Sequence, residues 1–390
     1  MKIVFLMAGS NRGAKWGGDL AVMHQLIDGL RSLGHESILA TSPFEAPDAD
    51  FVFVSISIFD HRQRLDEISL LDLPFGVLGF HEDLQQYYCP AMGFLDFVRH
   101  CLEGKESIEE LYVRPHIIHY FGRIPEPNFV YNFKRLQKAK LWVANTPTEA
   151  AVVARDFPGA NVAVVPVAPG LVTRFTGEAN DSFLSFSGLS SGSYLLQIGR
   201  LEERKNQLAA ILATRDLDLP LVFIATHGRM RYPAACFEAA AKWRKAPTLF
   251  ISQTLKEMHR GSARVIPMPS DTKLPLDMIL SAYAHTGLYI HPAFNELPGA
   301  IFLEAARLGA PAIATHWCTI KDYFFNPSLG HSELDGRIAY CDPWDLKEIQ
   351  MLTERNFGKR FLPLIDHPTI QRTEIDAARE LLTHLHEVLS

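Results

Sequence analysis

The sequence lacks the features of several large protein classes. A membrane-spanning helix needs about 18 consecutive apolar residues, and no apolar run in the sequence approaches that length. Its 38 lysines and arginines are outnumbered by 44 aspartates and glutamates, and the net charge of -6 argues against a nucleic-acid partner, which needs clustered positive charge. The five cysteines form no CxxC pair and indicate buried thiols in a reducing cytoplasm. Neither GxGxxG nor GxxxxGK(S/T) occurs, so no dinucleotide or ATP motif is present.

Length and hydrophobic pattern predict two α/β domains. A chain of 390 residues is too long for one ordinary core. Strand-like runs alternate with helical patterns in both halves, which favours parallel, doubly wound, Rossmann-like sheets. The predicted strands are 2–7, 51–58, 75–80, 141–144, 162–167, 194–198, 219–225, 264–266, 287–291, 312–315 and 337–341.

These patterns define the predicted boundaries. The first domain covers residues 1–175, a glycine- and serine-rich linker covers 176–193, and the second domain covers 194–370. We expect the two domains to face a central cleft. The last residues, 371–390, form an amphipathic helix that is expected to pack back on the first domain.

The segment 291–317 places two carboxylates in apolar surroundings. Residues 286–291 are predicted as a buried strand, 299–308 as a helix and 310–315 as the next strand, so Glu296 follows a strand and Glu304 lies in the helix. That helix is apolar nearly all round, so Glu304 is expected to enter the interior. There an ionised carboxylate costs on the order of several kcal/mol without hydrogen-bond donors. Two interpretations remain open, a structural ion pair and a ligand site.

A ligand between these carboxylates would have a distinctive shape. In open α/β sheets ligands bind at the carboxyl ends of strands, and a helix that starts near Gly299 offers free N–H groups to an anion. Eight helical residues span about 12 Å. This separation suits a nucleotide sugar, with one carboxylate for sugar hydroxyls and the other for the ribose diol.

Two cations and a pair of glycines also lie where a predicted strand leads into a predicted helix. Arg200 and Lys205 follow a strand in GRLEERKNQL and could hold a diphosphate and neutralise its charge as it departs; a solvated loop is the alternative. Gly17 and Gly18 precede a predicted helix, where they either admit a phosphate or sugar or form a plain turn.

His81 is the candidate of the first domain. It ends the strand FGVLGF, which places an imidazole beside the expected cleft, although a structural histidine is the alternative. No histidine spacing singles out a metal site. The Asp216–Asp218 pair precedes a strand and is interpreted as a surface turn. We therefore expect neither a metal ion nor another cofactor.

The segment 111–145 combines basic and aromatic residues with a single acid, Glu126. Such a composition can meet an anionic membrane surface or an acidic acceptor, or it can form one solvated helix face. The expected location is cytoplasmic, with peripheral contact at the inner face of the membrane left open.

Together these features resemble the retaining glycosyltransferases of family 4, the group 1 glycosyltransferases, which have the GT-B fold. Glu296 and Glu304 have the family's E-x7-E spacing, and EAARLGAPAIA looks like its EAMAxGxPVVA. The family's glycine loop, first-domain histidine and phosphate-binding cations match Gly17, Gly18, His81, Arg200 and Lys205.

The resemblance implies transfer of a sugar from a UDP- or GDP-sugar to a hydroxyl of a glycan or lipid-linked acceptor, with retained configuration and without a metal. It implies that Glu304 binds the ribose and that His81 contacts the donor sugar from the first domain. It also implies that Glu296 and the amides after it hold that sugar. The residues implied for donor binding or catalysis are Gly17, Gly18, His81, Arg200, Lys205, Glu296, Leu297, Gly299, Ala300 and Glu304. The base would meet the loop near Thr226 and Gly228 and the segment 265–268.

The sequence also departs from the family pattern. ELPG stands where the family often has EGFG, so Pro298 supplies no amide and Leu297 adds bulk beside the sugar. HWCTIKDYF replaces the usual glycine-rich turn after the next strand. Three alternatives remain: a nucleotide-sugar epimerase, a sugar phosphorylase and a non-catalytic sugar-nucleotide binder.

Overall fold

A computed structural model describes residues 1–7, 18–55, 62–122, 133–168, 179–225, 231–252, 255–268, 274–326, 331–332 and 336–390. The strands are β1 Lys2–Leu6, β2 Glu36–Ala40, β3 Phe51–Ser55, β4 Phe75–Leu78, β5 Leu141–Ala144, β6 Val162–Val164, β7 Leu195–Ile198, β8 Leu221–Ala225, β9 Thr248–Ser252, β10 Met258–Arg260, β11 Ala263–Pro267, β12 Leu288–Ile290, β13 Ala312–Thr315, β14 Phe325–Asn326, β15 His331–Ser332 and β16 Ile338–Cys341. The helices are α1 Gly18–Ser32, α2 Arg62–Leu70, α3 Leu84–Leu102, α4 Glu110–Val113, α5 Phe133–Leu136, α6 Pro147–Asp156, α7 Ser182–Ser187, α8 Gln207–Ala213, α9 Arg231–Trp243, α10 Leu276–His285, α11 Ala300–Arg307, α12 Lys321–Phe324, α13 Leu346–Asn356, α14 Pro368–Gln371 and α15 Glu374–Leu389. In this described part, no helix is both long and apolar enough to cross a bilayer.

The first sheet is parallel, in the order β2-β1-β3-β4-β5-β6. Its central strands are apolar at nearly every position because separate hydrophobic clusters cover both faces. The predicted strands of this half are present, with some shorter than predicted. β2 was not predicted because it is a partly exposed edge strand with a weak apolar pattern.

The second sheet has the order β10-β11-β9-β8-β7-β12-β13-β16, and only β10 runs antiparallel to its neighbour among the described strands. β9 was missed because a five-residue apolar run does not distinguish strand from helix. The order makes β7 and β12 direct neighbours although about ninety residues separate them in sequence. The prediction of two Rossmann-like sheets is confirmed.

The C-terminal helix returns to the first domain, as predicted. α15 buries Ala378 and Leu381 against α1 and the first sheet. The helices touch at Gly29, where an added Cβ would lie 2.2 Å from the Glu374 carbonyl oxygen. Arg372, just before α15, donates to the Pro166 carbonyl at 2.9 Å. Gly29 thus permits the close contact that fixes the returning helix.

The segment 84–122 extends the contact between the domains. α3 and the helical turn 115–120 share a hydrophobic cluster with α8 and α9 of the second sheet. Tyr112 donates to the Leu212 carbonyl at 2.6 Å across this contact. Within the predicted linker, α7 buries Phe183 in the core of the second sheet. The chain from 84 to 122 therefore joins the first sheet to the second domain.

Candidate functional site

The parallel pairing of β7 with β12 brings the loops after these strands together. Lys205, from the first loop, forms an ion pair with Glu296, from the second. His291 Nε2 lies 2.9 Å from Glu296 Oε2. Gln197 Nε2 donates to the Lys205 carbonyl at 2.9 Å and lies 3.1 Å from His291 Nδ1. These partners assign the ring proton of His291 to Nε2, so His291 and Lys205 both donate to one carboxylate.

The opposite charges of Lys205 and Glu296 stabilise each other. Burial acts to raise the pKa of Glu296, but the Lys205 ammonium, His291 and the Arg204 guanidinium together hold that pKa below its usual range. Burial and Arg204 lower the pKa of Lys205, which Glu296 opposes. Burial also lowers the pKa of His291, so a neutral ring donates to the carboxylate. The site therefore contains an ionised, largely water-free ammonium and carboxylate.

Glu304 has the opposite environment on the same segment. It lies in α11, where burial raises its pKa to about 7 and the Tyr283 hydroxyl opposes the shift only in part. The Glu304 side chain is half-buried, so the expectation that it enters the interior is met only in part. A carboxyl group with this pKa changes protonation near neutral pH.

The start of α11 is shaped by Gly299. Its φ of 85° lies in the left-handed region that favours glycine, and Ala300 begins the helix directly after it. Leu297 is buried at 9% exposure. Thr319 donates through Oγ1 to the carbonyls of Glu296 at 3.4 Å and Pro298 at 3.3 Å. The sequence that replaces the family's glycine-rich turn thus fixes the loop from Glu296 to Gly299.

Arg200, expected with Lys205 to hold a diphosphate, lies on the exposed side of the loop after β7. Its side chain is 54% exposed, and its Nε lies 3.5 Å from Glu202 Oε2. Within the described chain, no contact joins Arg200 to Glu296. The structure therefore brings Lys205 to Glu296 and leaves Arg200 at the surface of the same loop.

His81 lies inside the first domain. Its Nε2 is 2.8 Å from Asp156 Oδ2, and its ring meets Trp142 and Phe157 edge to face. The chain turns sharply before it, since Phe80 has a φ of 59°. The side chain is 1% exposed, and Asp156, Trp142 and Phe157, which surround its ring, all belong to the first domain, whereas Glu296 pairs with Lys205 and His291. A contact of His81 with a donor sugar stays a prediction.

Sequence reasoning missed Glu149, which organises the edge around His81. Glu149 accepts from the His81 amide at 2.8 Å, the Asn145 amide at 2.6 Å and Asn145 Nδ2 at 2.9 Å. Burial raises the pKa of Glu149, and these hydrogen bonds lower it only in part. The sequence TPTEA, residues 146–150, has the pattern of a capped helix start, in which Thr146 accepts from the Glu149 amide at 3.1 Å. This pattern could have pointed to Glu149.

A second missed contact lies between the domains. Asp322, in HWCTIKDYF, accepts from the Thr148 amide at 2.8 Å and the Thr148 hydroxyl at 3.0 Å, which satisfies the start of α6. A cavity of about 280 Å³ beside it is lined from both domains, including Thr146 of the first and Tyr323 of the second. The segment that differs from the family pattern therefore also contacts the first domain.

Several predicted site positions fall outside the described residues. Gly17, Thr226 and Gly228 lie outside them, and for Gly18 only the position at the start of α1 is described. Across the described ranges no group of three or more histidine, cysteine, aspartate or glutamate side chains could hold a metal ion.

The described parts of the basic and aromatic segment, 111–122 and 133–145, do not form one face. Arg114 pairs with Glu110, Arg135 pairs with Asp66, and Trp142 is buried in β5. The described part of this segment therefore does not support a membrane-binding surface.

Comparisons with known proteins identify the fold of the chain. No family model and no curated protein matches the sequence. Among solved structures, sucrose-phosphate synthase from Thermosynechococcus elongatus is 11% identical, with 100% of this chain and 96% of that chain covered and a TM-score of 0.59. HepE from Anabaena, in complex with UDP and glucose, is 11% identical, with 99% of each chain covered and a TM-score of 0.58. The chain has the GT-B fold.

A third GT-B structure, the lipopolysaccharide outer core galactosyltransferase WaaB, is 11% identical over 99% of each chain, with a TM-score of 0.54. At such low identity the likeness concerns the fold. The chemistry of this chain depends on the residues of its own site.

Proposed function

We propose that the protein is a retaining glycosyltransferase that moves a sugar from a UDP- or GDP-sugar to a hydroxyl of a glycan or lipid-linked acceptor. The observation that carries the proposal is the buried Lys205–Glu296–His291 cluster between the ends of β7 and β12. It lies directly before the start of α11, and Glu304 lies within that helix. A cation, a helix start and two spaced carboxylates match the parts of a nucleoside diphosphate sugar.

In the proposed complex the diphosphate takes the place of Glu296 as the partner of Lys205. Glu296 is then available to accept from sugar hydroxyls, and Glu304 accepts from the ribose diol. Arg200, being exposed, is free to turn toward the phosphates. The amides at Gly299 and Ala300 add donors at the same position.

The transfer breaks the bond between the anomeric carbon and the diphosphate, which leaves with the bonding electrons. The acceptor oxygen bonds to the same carbon, and its proton passes to the departing phosphate. Lys205 stabilises the negative charge on the leaving group, which is the largest contribution that a fixed cation can make to such a reaction. Attack on the face that the diphosphate leaves retains the configuration, as the resemblance to family 4 implies.

A donor screen followed by turnover tests the proposal. A true donor at about 100 times its dissociation constant adds roughly 2.7 kcal/mol to stability, which a thermal-shift panel of UDP-, GDP- and ADP-sugars detects. Release of nucleoside diphosphate is then measured with hydroxyl acceptors. We expect Glu304→Gln to weaken donor binding and Glu354→Gln, an exposed glutamate of α13, to leave it unchanged.

Three outcomes contradict the proposal. Donor isomerisation without acceptor indicates an epimerase, and a requirement for inorganic phosphate indicates a phosphorylase. Binding without turnover over the whole acceptor panel indicates a non-catalytic binder.

A further inference from the structure

Arg204 lies where the two domains touch, next in sequence to Lys205. Its Nε is 3.4 Å from Glu82 Oε1 of the first domain and 2.8 Å from Glu202 Oε1 of its own loop. Its side chain is 15% exposed, so the guanidinium is largely removed from water. Burial opposes the charge, but Glu202 and Glu82 raise the pKa of Arg204 above its usual range. The charged pair therefore persists across the domain contact.

The same arginine holds the loop that leads to Glu296. Its Nη1 donates to the Asn295 carbonyl at 3.4 Å. Its own carbonyl accepts from the Phe294 amide at 2.8 Å and from the Asn295 amide at 3.3 Å. Side chain and backbone of one residue thus bind the two positions directly before Glu296.

Glu82 is in turn fixed from the first domain. The Tyr87 hydroxyl, from α3, donates to Glu82 Oε2, leaving Oε1 to face Arg204. α3 also meets the Glu296 loop directly, since Phe94 packs edge to face on Phe294 with ring centroids 6.1 Å apart. A continuous series of contacts therefore joins α3, Glu82, Arg204 and the loop before Glu296.

We infer that Arg204 is a positioning residue that couples the contact between the domains to the placement of Glu296, with Glu82 as its partner in the first domain. Separation of the domains removes Glu82 from the guanidinium, which frees the side chain that holds Asn295. Glu296 then loses its fixed position beside Lys205. The role of this coupling in transfer rests on the proposed function, whereas the coupling itself is a property of the unliganded protein.

Amide hydrogen exchange of the unliganded protein tests the coupling without any activity. We expect Glu82→Gln and Arg204→Gln each to speed exchange of peptides covering 290–300 by about threefold or more, because a local contact is lost. The double variant should resemble Arg204→Gln, because residues that act as one unit are not additive.

The matched control is an exposed ion pair within the first domain. Arg135 Nε lies 2.7 Å from Asp66 Oδ1, and Arg135→Gln with Asp66→Asn should leave exchange at 290–300 unchanged. Unchanged exchange in Glu82→Gln, or effects that multiply in the double variant, overturns the inference.

Kinetics separate this inference from the proposed function. With an active donor, Glu82→Gln should lower kcat by about tenfold and leave the donor KM within about twofold, because the cations and carboxylates proposed to hold the donor lie in the second domain and keep their own partners. A kcat that stays within about twofold contradicts the role in transfer. If the unmodified protein transfers no sugar from any donor, the proposed function fails, while the exchange experiment still decides the coupling.

Discussion

The carboxyl edges of the two sheets each bury a glutamate, and the two glutamates have different partners. Glu149, at the first edge, is 1% exposed and accepts from the amides of His81 and Asn145 and from an asparagine side chain. Glu296, at the second edge, is 5% exposed and is held by Lys205 and His291. The pKa of Glu149 is raised by burial, whereas that of Glu296 is lowered by neighbouring positive charge.

The difference separates a structural carboxylate from one suited to a ligand. Main-chain amides are fixed by the fold, so Glu149 ties two strand ends together permanently. A lysine side chain can exchange one anion for another with little change in the chain. The second edge therefore has the properties that anion binding requires, and the first edge serves to hold the chain in place.

Removal of the cation should produce the largest effect. Lys205→Met leaves Glu296 buried without its charge partner, which should cost about 3–5 kcal/mol of unfolding free energy. Transfer should fall by about 100-fold or more because the charge on the leaving group is no longer neutralised. Chemical denaturation and a turnover assay measure the two effects.

The double variant Lys205→Met with Glu296→Gln is the internal control. It removes both charges, so most of the stability should return while transfer stays low. Recovery of transfer together with stability would show that the pair is purely structural.

Glu149→Gln should affect stability alone. The glutamine amide turns a donor toward amides that need an acceptor, which should cost about 1–3 kcal/mol of unfolding free energy. Nucleoside diphosphate affinity, measured by calorimetry, should stay within about twofold, because no phosphate-binding cation is disturbed. An affinity loss as large as that of Lys205→Met would remove the distinction between the two edges.

Glu304 should add a smaller, pH-dependent effect to the second edge. Its pKa of about 7 means that the carboxylate, the better acceptor for ribose hydroxyls, forms only as pH rises through neutrality. UDP or GDP should therefore bind more tightly at pH 8 than at pH 6, by about 1 kcal/mol or roughly fivefold in Kd. Glu304→Gln should abolish the part of this dependence that the nucleotide's own titration does not explain.

In the free protein, ionisation of Glu304 with rising pH should lower the free energy of unfolding, whereas it should strengthen nucleotide binding. Because folding raises the pKa of Glu304 from an ordinary 4.5 to about 7, the folded state binds the proton more tightly. The contribution of Glu304 to the unfolding free energy should be largest below pH 4.5 and decrease as pH rises to about 7. Urea denaturation at several pH values measures it as the difference between the unmodified protein and Glu304→Gln, which lacks this contribution.

The sequence pattern predicted those residues of the second edge whose position depends on which strand they follow along the chain. Lys205 and Glu296 each follow a predicted strand, and neighbouring parallel strands bring such positions together. The direction of the His81 ring was not predictable, since it follows from a left-handed turn at Phe80 and from Asp156 far along the chain. The pairing of Glu82 with Arg204 was missed for the same reason, because only the packing of α3 on the second domain brings them together.

The returning helix α15 also bears on how the chain is made. Its residues Ala378, Leu381 and Leu385 complete the core around β1 and α1, which a ribosome synthesises before α15. During translation the second domain can therefore close its core while the first still exposes an apolar groove along α1. Chaperones that shield nascent chains should therefore be needed most at α1.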